Sequence, residues 1–115
     1  MTEQDPTEKI HLVALRAALV VDAVREALDA LTGLAQSYAA RGMEQEAANL
    51  LTFVLHHPDV RYDTFDRAEE LHMDLEARAC PRIFEDAQQF VLGKSLKTIA
   101  AWVFALAGDE GDSHA

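Results

Sequence analysis

The stretch "LTGLAQSYAARGMEQEAANLLTFVLHHP", Leu31 to Pro58, decides the fold. It runs as one helix face, turns at Arg41-Gly42, runs as a second helix, and closes on two histidines and a proline. Leu31, Leu34, Ala35 and Tyr38 recur at helical spacing on the first arm. Ala47, Leu50, Leu51, Val54 and Leu55 do the same on the second. Gly42 suits a helix C-terminal cap, where the backbone turns left-handed. Small residues at Ala35 and Ala47 let two antiparallel helices approach closely. Leu34, Tyr38, Leu51 and Val54 then fill the space around the contact. The stretch therefore predicts a helical hairpin.

Its spacing also matches a known repeat. The tetratricopeptide (TPR) pattern places a large residue, then Leu-Gly, then Tyr on one helix, followed by Ala-x3-Phe and Pro in a unit of about 34 residues. Leu31 stands at the first position, Leu34-Ala35 at Leu-Gly, and Tyr38 at Tyr. Ala47 and Leu51 stand at Ala-x3-Phe, and Pro58 comes one residue early. A plain helical hairpin without repeat ancestry uses the same residue classes and is the alternative.

Outward from this hairpin, glycine and proline punctuate a chain rich in Ala, Leu, Glu and Arg, all strong helix formers. Asp5-Pro6 suits a helix start. Thr7 to Val21 follows, with Ile10, Val13, Ala14, Ala17, Val20 and Val21 as its stripe. Asp22 reads as the N-cap of a helix over Ala23–Arg41. A single helix over 7–41 is the rival reading. After the hairpin, Pro58 stops the chain and Asp59 can cap a helix to Arg78, striped by Phe65, Ala68, Leu71, Leu75 and Ala79. Cys80-Pro81 breaks it. A weaker helix over Pro81–Leu92 uses Ile83, Phe84, Ala87 and Val91, and Gly93 closes it. Ser95 caps a last helix to Leu106. The acidic, glycine-rich "GDEGDSHA" at 108–115 predicts a disordered tail. The expectation is an all-α domain over 1–107, built of five to six helices in TPR-like stacked hairpins. Residues 31–58 are its best repeat, and 59–107 form degenerate capping helices.

The run from Ala27 to Ala77, with "GLA", "ARG", "LLTFVLHHP" and "DRAEELHMDLEA", resembles the C-terminal end of tetratricopeptide-repeat arrays in bacterial STAND-type signalling ATPases and transcriptional regulators. The chain has no phosphate-binding GxxxxGK[ST] loop, so the nucleotide chemistry of such parents does not carry over. The resemblance implies a helical scaffold with a recognition role in bacterial signalling.

Composition narrows the partners. The chain has 115 residues and a net charge of −10. Nucleic acid and anionic membrane surfaces need a basic face, so neither is expected. One cysteine, Cys80, excludes a disulfide framework or a thiolate metal cluster. The polar start from Met1 to Lys9 does not read as a signal peptide, and the expected location is cytoplasmic.

His56 and His57 invite a metal or catalytic reading. Adjacent helical residues point about 100° apart, which does not suit a shared ion. His72 and Glu76 have i, i+4 spacing but no third ligand in view. Cys80 has no assignable base. No cofactor, metal site or catalytic residue is therefore expected. The histidines read instead as the last turn of a helix, near its negative dipole end.

Two surfaces remain. Repeat arrays bind along the first helix of each pair. That mapping selects Asp29, Thr32 and Gln36, then Asp63, Asp66 and Glu70, an acidic and polar face suited to a basic or polar protein partner. The second is "IAAWVFALA", Ile99 to Ala107, apolar all round and therefore in need of cover. Either it folds back along the domain or it packs against another chain, with Trp102 and Phe104 as its candidate anchors for self-association as a homodimer or for contact with parent-protein domains. A groove between hairpins that senses a small ligand is a further alternative. If the chain is cut from a longer array, the face of Ile10, Val13 and Val20 has lost its neighbour.

Overall fold

The structure, a computed structural model, describes residues 6–108. They form six α-helices and, among the described residues, no strand. These are α1 Pro6–Val20, α2 Val24–Ala40, α3 Glu44–Leu55, α4 Tyr62–Glu76, α5 Arg82–Val91 and α6 Leu96–Ala107. The Asp5 cap and the 109–115 part of the expected tail lie outside the described residues.

Two like turns make the first three helices antiparallel neighbours. At the end of α2, Gly42 has φ +81°, and the N–H of Met43 donates to the carbonyl of Tyr38 at 2.9 Å. The N–H of Gly42 donates to Ala39 at 3.2 Å, completing a Schellman cap. Asp22 does the same at the end of α1, with φ +60° and the Ala23 N–H on the carbonyl of Ala18 at 2.8 Å. This corrects two readings. The chain breaks at 21–23, so there is no single helix over 7–41. Asp22 terminates α1, and Ala23 takes the position before α2. Aspartate tolerates the left-handed conformation better than most side chains, and that lets it act here as glycine does in the next turn.

Helix α3 is the centre. Every residue from Ala47 to Val54 is buried. Such a helix needs cover on every side. It packs against α2, α4 and α5. Helix α4 leans on both α2 and α3, and the Gln45 amide of α3 donates to the carbonyl of Ile83 at the start of α5 at 2.9 Å. Helix α5 meets α4 through Phe84 against His72, ring centroids 4.9 Å apart. Cys80 and Pro81 interrupt that pair, so it lacks the tight turn of the first hairpin.

Helix α6 begins as expected, with the Ser95 hydroxyl accepting the N–H of Thr98 at 3.2 Å. It then folds back across the domain. Trp102 packs on Phe90 of α5 with centroids 4.7 Å apart. At its far end the Arg16 guanidinium of α1 lies 4.4 Å over the Phe104 ring. The apolar helix is thus covered on one side by its own chain: Ile99, Ala100, Val103 and Phe104 are buried.

Helix α1 departs from the expected stripe. Its buried residues are Glu8, Leu12, Leu15 and Ala18, and these face α2. Ile10, Val13, Ala14, Ala17, Val20 and Val21 all face outward. The helix is apolar on two sides, so periodicity alone does not choose between them. The choice comes from α2. Gly33 of α2 leaves room for the His11 ring, and a Cβ at that position would collide with it. The Arg41 guanidinium at the end of α2 hydrogen-bonds the buried Glu8 carboxylate.

Candidate functional site

The face selected from the repeat pattern is assembled by α2 and α4. Asp63, Asp66, Glu69, Glu70, Arg67 and Met73 line an open groove of 500 Å³ along α4. Asp29 of α2 is tied to this groove. Its carboxylate meets the Arg67 guanidinium at 3.1 Å and accepts the Thr64 hydroxyl at 3.3 Å. Arg67 also donates to the Asp29 backbone carbonyl at 3.3 Å. One expected residue drops out. Thr32 is 0% exposed, and its hydroxyl is spent on the carbonyl of Leu28 at 3.0 Å. It faces the core and is not part of the exposed face. Gln36 is exposed on α2.

The sequence reading missed Arg67 and Glu69. Arg67 is the basic residue in an acidic run and lies four residues after Asp63, a spacing that hints at a shared face. Its pairing with a residue of another helix has no signature in sequence. It leaves an acidic groove with one guanidinium fixed at its edge. Such a surface favours lysine and arginine side chains through Coulomb attraction, while Met73 offers apolar contact for their stems.

The histidines lie at the C-terminal end of α3, in the turn that leads to α4. The His56 Nδ1–H donates to the Thr52 carbonyl at 2.8 Å, which makes it a cap for the last turn of α3. The His57 Nδ1 accepts the Asp59 N–H at 3.1 Å, so its proton lies on Nε2 in the neutral ring. Both rings serve the stop at Pro58, as their place in the sequence predicts. Together with Phe53, Val91, Lys94 and Leu96 they border a cavity of 320 Å³. The Lys94 ammonium at its rim is engaged by the Phe90 carbonyl and lies 4.4 Å over the Phe90 ring. Among the described residues, no group of three or more His, Cys, Asp or Glu is placed to hold a metal ion. Among the same residues, no helix is long and apolar enough to cross a membrane.

Trp102 and Phe104, the expected self-association anchors, are engaged within the domain. Trp102 packs against Phe90 with the rings tilted by 55°, and Phe104 is buried beneath Arg16.

One buried group stands apart. The Tyr38 hydroxyl is buried without a hydrogen-bond partner among the described residues. Burial, helped by the nearby Glu8 carboxylate, pushes its pKa up to about 12. An unfolded tyrosine loses its proton near pH 10. Between those two values the folded state holds a proton that the unfolded state has lost, so stability falls as pH rises. The slope is about 1.4 kcal/mol per pH unit. Tyr38→Phe removes the unpaired hydroxyl. It is expected to leave stability at pH 7 equal or higher by about 1 kcal/mol, and to remove this alkaline loss. Urea unfolding of both proteins from pH 7 to pH 11 reads the difference.

Comparison of the chain with family models, curated proteins and solved structures finds no match. The functional reading therefore rests on the residues described above.

Proposed function

We propose that this chain is a non-catalytic, TPR-type interaction or sensor module of a bacterial signalling protein, working in the cytoplasm. It binds a basic segment of a protein partner along the α2–α4 face. The observation that carries this reading is the open groove of Asp63, Asp66, Glu69 and Glu70, continuous with Asp29 through Arg67. Two further features support it. The positions that define the repeat pattern, Leu31, Leu34, Ala35, Tyr38, Ala47 and Leu51, are all buried. Helices α2 and α4 also pack side by side, as successive first helices of stacked hairpins do.

The reading makes a charge-dependent prediction. A lysine-rich dodecapeptide carrying a fluorophore is expected to bind at low salt and to be released as salt rises. Reversal of three exposed carboxylates, Asp63→Lys, Asp66→Lys and Glu70→Lys, is expected to weaken binding at least about tenfold by anisotropy. Glu85→Lys with Asp86→Lys on α5 is expected to change it little. Equal binding by the triple variant and the parent chain sinks the reading.

A small-ligand sensor is the second reading, and the cavity beside Phe53, His57 and Lys94 is the observation in its favour. It predicts a saturable rise in Tm with one ligand from a panel of sugars and nucleotides, abolished by Phe53→Trp.

A further inference from the structure

Helix α1 carries an apolar surface that its own chain does not cover. Ile10 is 65% exposed, Val13 62%, Val20 80% and Val21 71%. Ala14 and Ala17 lie exposed between them. At spacings of three, four, seven, ten and eleven these residues form a single stripe. Its N-terminal end opens into an apolar groove of 430 Å³ lined by Pro6, Lys9, Ile10 and Val13. From the exposures and the usual areas of these side chains, the stripe amounts to roughly 600 Å² of apolar surface, the upper end for the largest patch on a monomer.

We propose that this face is a homodimer interface, in which α1 packs antiparallel against α1 of a second copy. Three properties of the stripe select that occupant. The first is its symmetry. The two alanines sit at its centre and the branched side chains at its ends, so a two-fold axis between Ala14 and Ala17 brings small residues together and lets the helices approach closely. The second is charge. The chain carries −10 overall, and most of its surface repels a second copy. Helix α1 is the exception: its single carboxylate, Glu8, is buried against Arg41, so the face presents none. The antiparallel arrangement also carries Lys9 to the C-terminal end of the partner's helix, where the carbonyl dipole and Asp22 are negative. A parallel arrangement sets Lys9 against its own copy. The third is area. Twice the stripe is roughly 1,200 Å², the lower bound for a specific interface and the size of weak, reversible assemblies.

This inference does not rest on the acidic groove of α4, which faces a different partner. Sedimentation equilibrium of the full chain from about 1 μM to about 1 mM spans the expected range. The chain is expected to pass from monomer to dimer. Ala14→Arg and Ala17→Arg, both exposed in the monomer, are expected to remain monomeric throughout while keeping the parent's helical circular dichroism and Tm. Lys9→Glu is expected to raise Kd about tenfold at low salt and less at high salt. Trp102→Phe is expected to leave the dimer intact. A chain that stays monomeric at about 1 mM overturns the proposal, as does a dimer that survives Ala17→Arg. A dimer unaffected by Lys9→Glu at low salt overturns the antiparallel arrangement.

Discussion

Leu51→Ala is expected to lower the unfolding free energy by about 3 kcal/mol, and Tm by roughly 10 °C. Leu51 is 1% exposed on a helix buried all round, so no single neighbour can close the space that the lost methyl groups leave. The loss is large against the 5–15 kcal/mol on the order of which a domain of this size is stable. Leu15→Ala on the inner side of α1 is expected to cost nearly as much, since Leu15 is fully buried against the core. Val13→Ala, two residues away and 62% exposed, is expected to change stability by less than about 0.5 kcal/mol. Urea unfolding of the three variants at a concentration that keeps the chain monomeric reads all three values. Equal costs at Leu15 and Val13 contradict the orientation of α1.

The second large effect is at the Glu8–Arg41 pair. Arg41→Ala leaves the Glu8 carboxylate buried without its cation, and the expected cost is about 2–3 kcal/mol. The value falls at the low end for a buried pair because Arg41 itself is 47% exposed. Glu8→Gln is expected to cost less, because the freed guanidinium turns to water while the amide keeps the shape of the acid. Replacing both, Glu8→Leu with Arg41→Met, is expected to recover most of the loss, as apolar pairs of similar volume do at buried ion pairs. Denaturant unfolding of the two single variants and the double variant reads the three values. Equal losses in Arg41→Ala and Glu8→Gln contradict the desolvation argument and reduce the pair to an ordinary surface contact.

These two sites also mark what could and could not be read from the chain. The α2–α3 hairpin was legible in full, because Gly42 gives an unambiguous turn and each arm has one apolar side deep enough to define the contact. All six helices and the Ser95 cap follow from the same local signals. The face of α1 was not legible. Two apolar sides on one helix give the same periodicity, and the tie is broken by Gly33 beneath His11 and by Arg41 reaching Glu8. Those pairs lie 22 and 33 residues apart in sequence, and nothing local announces them. The fate of α6 was half legible. Its need for cover follows from composition, but Phe90 and Arg16 as the covering groups follow only from the chain's path.

The candidate site divides in the same way. Asp63, Asp66 and Glu70 follow from helical spacing, and they share one groove. Thr32 fails because the same spacing places it where α2 is buried, and a threonine can satisfy its hydroxyl on its own helix. His56 and His57 lie where helical spacing places them, at the end of α3, with one ring bonded to the Thr52 carbonyl and the other to the Asp59 N–H.

The central functional claim is that a basic segment binds along α4 beside Asp29. An amide-resolved NMR titration of the full chain with the lysine-rich dodecapeptide tests it most directly. The account predicts saturating shift changes at Asp29, Asp63, Asp66, Arg67 and Glu70, with the amides of His56, His57 and Leu96 unmoved. Changes centred on Phe53, His57 and Leu96, or no saturable change at all, contradict it.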